Sequence, residues 1–90
     1  MSRREKLEIV NDMLVAIQDK GGSIKPTHLL YKSNLSHKKM MEHIQELLSS
    51  QMIEEAMEDE KRRYVLTDKG RQFIQRFRQL QAFGESFGLS

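Results

Sequence analysis

No cysteine occurs among the 90 residues. That excludes disulfides, thiolate metal sites and cysteine nucleophiles, and it leaves the redox compartment unmarked. Proline occurs once and glycine five times, so no stretch has the composition of a flexible or low-complexity linker. Long apolar runs are missing too. The opening "MSRREKLEIV" is basic, but charges interrupt its apolar residues, and it lacks the continuous core of a signal peptide. No window approaches the length needed to span a bilayer, so a cytoplasmic location and no membrane partner are expected. No internal repeat is visible, and no glycine-rich phosphate loop opens a helix.

What remains is a chain of ordinary soluble composition, 38% apolar and 31% charged, of a length that suits one domain over 1–90. So short a chain buries a modest core and gains from an oligomer interface. Net charge is only +2, but the charges are segregated. Five lysines and no acid lie between Lys20 and Met41. Five acids and no base lie between Glu54 and Glu60, and Lys61, Arg62 and Arg63 follow at once. Local surface therefore matters more than the total.

Periodicity divides the chain into five segments. Leu7, Val10, Met13, Leu14 and Ile17 form one helical stripe, widened by Ile9 and stopped by Gly21 and Gly22. Pro26 suits the first position of a short helix to Ser33, with Ile24 as a stub of strand before it. Ser36 is a good N-cap for a third helix ending near Ser50, with Met40, Ile44, Leu47 and Leu48 inward. "MIEEAMEDEKRRYVLT" then changes period and reads as two strands, with Tyr64, Val65 and Leu66 in the second. The turn lies within "EDEKR", and with no Asn-Gly or Asp-Gly pair its type is unreadable. Thr67 caps a last helix over 68–83, and 84–90 is expected to be a flexible tail. Gly70 early in that helix costs helix propensity, for which close approach to another element is one reason.

Helix, short helix, helix, hairpin, helix is the order of an α+β winged helix-turn-helix domain: a three-helix core, a β-hairpin wing and a C-terminal helix. The stretches "LLYKSNLSHKKMMEHIQELLSSQMIE" and "RRYVLTDKGRQFIQRF" resemble small winged-helix transcriptional regulators of the compact archaeal type, over about Leu7 to Leu80. That resemblance implies a recognition helix over Ser36 to Gln51, a wing over Glu58 to Arg63, and a last helix that often joins two copies. It also implies double-stranded DNA as partner. Two features depart from the group's pattern. Gly84 and Gly88 shorten any coiled coil, and Glu58, Asp59 and Glu60 make the wing acidic.

Within this frame Lys38 and Lys39 stand where the helix dipole favours an anion, and a phosphate would meet both the free N–H groups and the two ammoniums. Ser36 joins them as a candidate backbone contact, with Lys25, Lys32, Lys61, Arg62 and Arg63; Tyr31 either packs or reaches phosphate. His37, Met41 and Gln45 follow at four-residue steps and are candidate base readers, although Met41 serves equally as core filler. Phe73, Ile74, Phe77 and Leu80 make a broader apolar face than one small core needs, and Phe73, Phe77 and Leu80 are the candidate dimer contacts. His28, His37 and His43 share no ligand spacing, and no catalytic constellation stands out. No metal, no cofactor and no enzyme activity are expected. Two other readings stay open: a winged-helix protein-interaction module, suited by its acidic run to a basic partner, and an architectural DNA-binding protein with little sequence choice.

Overall fold

The computed structural model describes the backbone over residues 3–89 and the side chains over 6–89. Seven elements follow the expected order: α1 (Arg3–Asp19), β1 (Ser23–Ile24), α2 (Pro26–Ser33), α3 (His37–Ser49), β2 (Ile53–Glu58), β3 (Lys61–Leu66) and α4 (Asp68–Ser86). The three strands form an antiparallel sheet in the order β1-β3-β2, so the second wing strand lies in the middle. The fold is the α+β winged helix-turn-helix that the segment order predicts.

Local chemistry sets each boundary. α1 ends in a Schellman turn: Gly22 N–H donates to the Ile17 carbonyl at 2.9 Å and Gly21 N–H to Gln18 at 3.0 Å, with Gly21 at φ +81°. Pro26 occupies the first turn of α2, and Asn34 ends that helix in the left-handed region at φ 57°. The Ser36 hydroxyl accepts from Lys39 N–H at 3.1 Å, which caps α3 as expected. Thr67 does more than cap α4. Its hydroxyl accepts from Gly70 N–H at 3.1 Å and donates to the Gln51 carbonyl at 2.8 Å, tying the start of α4 to the end of α3.

Among the described residues thirteen side chains make the core, including Met13, Leu14 and Ile17 of α1, Leu29 of α2, Met40, Ile44 and Leu47 of α3, Tyr64 and Leu66 of β3, and Ile74 of α4. Gly70 is buried at the tightest joint. A Cβ there would strike the Met52 backbone carbonyl and lie 2.7 Å from Leu66 Cδ1, so the close approach anticipated for this glycine is real. Leu7 departs from its predicted stripe: it is 44% exposed, because it lies a full turn beyond the last buried residue of α1. Ala56 and Met57 of β2 are exposed as well, since only Ile53 of that strand reaches the core.

α4 continues through Gly84 to Ser86, past the predicted end at residue 83. A second Schellman turn closes it, with Leu89 N–H donating to the Gly84 carbonyl at 2.8 Å and Gly88 N–H to Glu85 at 2.9 Å. Glycine at position 84 weakens helix propensity without supplying a stop, whereas Gly88 at φ 76° does supply one. The last turns of α4 run beyond the globular part, and the molecule measures 48 × 25 × 21 Å.

Candidate nucleic-acid interface

α3 is amphipathic, and its outer side carries the candidate contacts. His37, Lys38, Lys39 and Gln45 are exposed; Met40, Ile44 and Leu47 anchor the other side. Met41 does not share the exposure of His37 and Gln45. It is half-buried and packs on the core, because it adjoins the apolar stripe it would otherwise only border. Lys38 has no carboxylate partner among the described residues, and Lys39 lies 3.7 Å from Glu42, both well exposed. Such an exposed pair is weak and yields readily to a stronger anion. Further along α3, Glu46 accepts from Lys6 of α1 at 2.8 Å, and that contact holds its carboxyl below the ordinary carboxylate range. His43 Nδ1 approaches the same carboxylate only to 3.6 Å, too far for a hydrogen bond.

The wing places its cations differently. β2 and β3 join through the two-residue turn Asp59–Glu60, both at positive φ (53° and 64°), the signature of a type I′ turn. The resulting register pairs Glu58 with Lys61, Met57 with Arg62 and Ala56 with Arg63. Carboxylates therefore fall diagonally beside both arginines: Arg62 Nε lies 3.3 Å from Glu55, and Arg63 Nε lies 3.4 Å from Glu58. Arg63 is committed further, donating to Ser23 Oγ at 2.7 Å and to the Ser23 carbonyl at 3.1 Å. It fastens β1 to β3 and is only 24% exposed. Of the run 61–63, Lys61 alone lacks an ion-pair partner among the described residues.

α2 carries a second cationic surface. Lys25, His28 and Lys32 occur at steps of three and four and so form one stripe, with Lys25 and Lys32 exposed. Lys20 reaches the same place from the end of α1, and the charges of Lys20, Lys32 and Lys25, after burial, hold the His28 imidazole below its usual value. As backbone contacts the sequence reading names Lys25 and Lys32 but neither Lys20 nor His28. The helical spacing of His28 from its two lysines was the available signal. Tyr31 is 82% exposed and does not pack.

The expected dimer contacts divide. Phe73 and Phe77 are half-buried and stack on each other with ring centroids 5.9 Å apart, whereas Leu80 is 65% exposed. Leu80 joins Leu7, Phe77, Phe83 and Leu89 around an apolar groove of about 1060 Å³ between the start of α1 and the end of α4. Among the described residues no cluster of three His, Cys, Asp or Glu side chains is arranged to hold a metal, and no helix is long and apolar enough to cross a membrane.

A trihelical core, a hairpin wing and an exposed, capped third helix define a winged helix-turn-helix protein. The chain belongs to the winged helix-turn-helix family, whose model matches residues 3–84. Among solved structures it is similar to Sso10a-2, a DNA-binding protein from Sulfolobus solfataricus, with a TM-score of 0.76 and 16% identity over 90% of this chain and 82% of that one. It is also similar to BpsR of Bordetella bronchiseptica, whose DNA binding is regulated by 6-hydroxynicotinic acid, with a TM-score of 0.68 and 16% identity over 76% of this chain and half of that one. At such identities the likeness shows the fold. No curated protein matches the sequence.

Proposed function

We propose that the protein is a double-stranded-DNA-binding transcriptional regulator of the small archaeal type. It acts in the cytoplasm without chemistry of its own and binds as a homodimer with the helix over 36–50 in the major groove. The observation that carries this reading is the first turn of α3: a capped N-terminus, exposed, with Lys38 unpaired and Lys39 held only by a surface contact. N–H groups and ammoniums there converge on the space a phosphate would fill, which fixes the register of the helix on the duplex. His37 and Gln45 then face base edges, with Met41 behind them. Ser36, Lys25, Lys32 and Lys61 supply further backbone contacts, and Arg62 and Arg63 do so only by leaving their glutamates. Both similar structures are of proteins described by their DNA binding, which supports the same reading.

The second copy is supported by the far end of α4. Leu80, Phe83, Phe87 and Leu89 are each more than 60% exposed, and Leu7 sits beside them. Soluble chains seldom leave so many large apolar groups together in water, and pairing would bury them while spacing two recognition helices on one duplex. The DNA reading is tested by selecting bound sequences from random duplexes. An enriched motif supports a site-specific regulator, affinity without enrichment supports an architectural protein, and no retention overturns both. Sedimentation tests the dimer: Leu80→Glu is expected to give monomer where the parent gives dimer, with helical circular dichroism retained. A parent that stays monomeric at about 100 μM, well above the dissociation constant of a stable dimer, sinks the pairing.

A further inference from the structure

The basic side chains fall into two groups. Lys6, Lys39, Arg62, Arg63 and Arg71 each lie within 4 Å of a carboxylate. Lys20, Lys25 and Lys32 have no such partner among the described residues, yet they crowd one half-buried imidazole, His28. Three lysines held around an imidazole repel one another, none of them is ion-paired to the nearby Asp12 or Asp19 among the described residues, and folding alone offers little reason to assemble them. An external anion does.

We propose that Lys20, Lys25, His28 and Lys32 form a phosphodiester-binding site, with His28 as a direct contact to the duplex backbone on the flank of the helix-turn-helix. This rests on the DNA-binding reading and deepens it. The site is a ledge of which Lys20, His28 and Lys32 line a polar cleft of about 660 Å³ between α1 and α2, together with Val15 and Ala16. Its chemistry suits a phosphodiester better than a carboxylate-bearing partner. Three long ammonium stems suit the non-bridging oxygens of successive phosphates along a backbone, and the imidazole supplies a short, directional N–H donor.

The charged groups around His28 determine how the contact behaves. Lys25 and Lys32 flank it along α2, and Lys20 faces it from α1, where Asp19 and Asp12 also line the cleft. α3 and β3 pack on α2 as well but direct no charge at the imidazole among the described residues. Burial and then Glu8 raise the Asp12 carboxyl above its ordinary value, and its charge with that of Asp19 offsets part of the positive charge of the cluster. In the free protein, burial and the lysines therefore favour the neutral imidazole. A phosphate reverses the balance, because it neutralises the lysines and favours the imidazolium. Binding then takes up a proton. The sign follows: the pKa is higher in the complex than in the free protein. The extra affinity is complete below the free value, which lies under 6.5, and is lost as pH rises through the bound value.

The test follows the His28 ring by proton NMR across pH 5 to 8, in the free protein and with a saturating duplex. Fluorescence anisotropy measures duplex affinity over the same range at fixed ionic strength. The His28 pKa is expected to rise on adding duplex, and affinity to increase about tenfold on acidification for each unit of that rise. His28→Gln should flatten the profile and cost up to about tenfold in affinity at pH 8, the worth of the one neutral hydrogen bond the ring makes there. His43→Gln serves as control, because His43 lies beside Glu46, is no duplex contact in this reading and should leave the profile in place. A His28 pKa unmoved by duplex, or a His28→Gln profile matching the parent, overturns the site while leaving DNA binding by α3 intact. Absence of duplex binding at every pH overturns both. Inorganic phosphate at the same phosphate concentration is expected to move the His28 signal far less than duplex. An equal response would assign the site to free anions and overturn its role in holding DNA.

Discussion

The ledge of α2 and the wing contain similar cations and use them differently. On α2 the lysines stand together with no ion-pair partner among the described residues, whereas on the hairpin both arginines find a glutamate across the strands. The contrast teaches that a basic run in sequence measures charge and not its availability. Exposed surface pairs are worth only about 0.2–1 kcal/mol, so a phosphate can displace them, but the displacement subtracts from what the contact gains. Free lysines give up nothing but hydration. The molecule should therefore grip a duplex chiefly through its helices, with the wing as a weak and adjustable support. Four changes would break or sharpen that division.

The largest effect is expected at the start of α3. Lys38→Ala with Lys39→Ala removes two charge-assisted contacts of roughly 1.5 kcal/mol each or more, and should weaken binding to all duplexes alike. The dependence of log affinity on log salt should become shallower by up to about 2, near one unit per lost phosphate contact. Because Lys39 already touches Glu42, the single Lys38→Ala variant should account for more than half of the change. Titration at several salt concentrations reads this directly, and an unchanged slope removes both lysines from the interface.

Gln45→Ala comes next and differs in kind. Gln45 is exposed on α3 and carries no charge, so the salt slope should stay where it is. A bidentate base contact supplies about 1–3 kcal/mol of discrimination, so preference among variant sites should shrink by that amount at one base pair. Equal weakening at every site would show that Gln45 does not read a base edge.

Most of the fold is legible in the sequence. Pro26, Ser36 and Thr67 mark helix starts through chemistry local to a few residues, and the structure uses all three as caps or first-turn residues. Apolar periodicity located the core for a similar reason, missing chiefly at Leu7, where a helix outruns the body it packs against. The pairing of the wing was not legible, because it depends on register, and register depends on a turn whose residues carry no turn signature. Asp59 and Glu60 adopt positive φ without the glycine that would have announced it. A turn one residue longer would have shifted Glu55 and Glu58 relative to Arg62 and Arg63 and left different cations free. Lys20 escaped because it joins the cluster only once α1 and α2 are packed, whereas the spacing of His28 from Lys25 and Lys32 was a signal the sequence did carry. Met41 illustrates the opposite case: a four-residue step placed it beside His37 and Gln45, but the width of the buried stripe drew it inward.

Glu55→Gln should move the wing toward the behaviour of the ledge. It removes the carboxylate 3.3 Å from Arg62 while keeping a side chain of the same size. Arg62 is then free to meet a phosphate, and duplex affinity should rise by no more than the worth of the surface pair, about 0.2–1 kcal/mol, with a slightly steeper salt slope. The same change at Glu58 should do less, because Arg63 stays bound to Ser23. If neither variant alters affinity or slope, the wing does not approach the duplex.

The smallest effect is expected at the wing tip, where stability and binding can be read separately. Glu60 sits at φ 64°, a region that costs an ordinary side chain roughly 1 kcal/mol through its Cβ and that glycine enters freely. An Asp-Gly pair is also the sequence this turn type favours. Glu60→Gly should therefore stabilise the fold, less the extra entropy that glycine brings to the unfolded chain, for a net gain of a few tenths to about 1 kcal/mol. The urea midpoint should rise with its slope unchanged. Glu60→Gln removes the same negative charge but keeps the Cβ, so it should not gain that stability. Any change in duplex affinity caused by the lost charge should appear equally in both variants. A midpoint that rises as much for glutamine as for glycine would mean that charge repulsion among Glu58, Asp59 and Glu60, and not backbone strain, is what the tip carries. In that event the acidic run weakens the hairpin in the free protein, and a cation brought by a partner would tighten it.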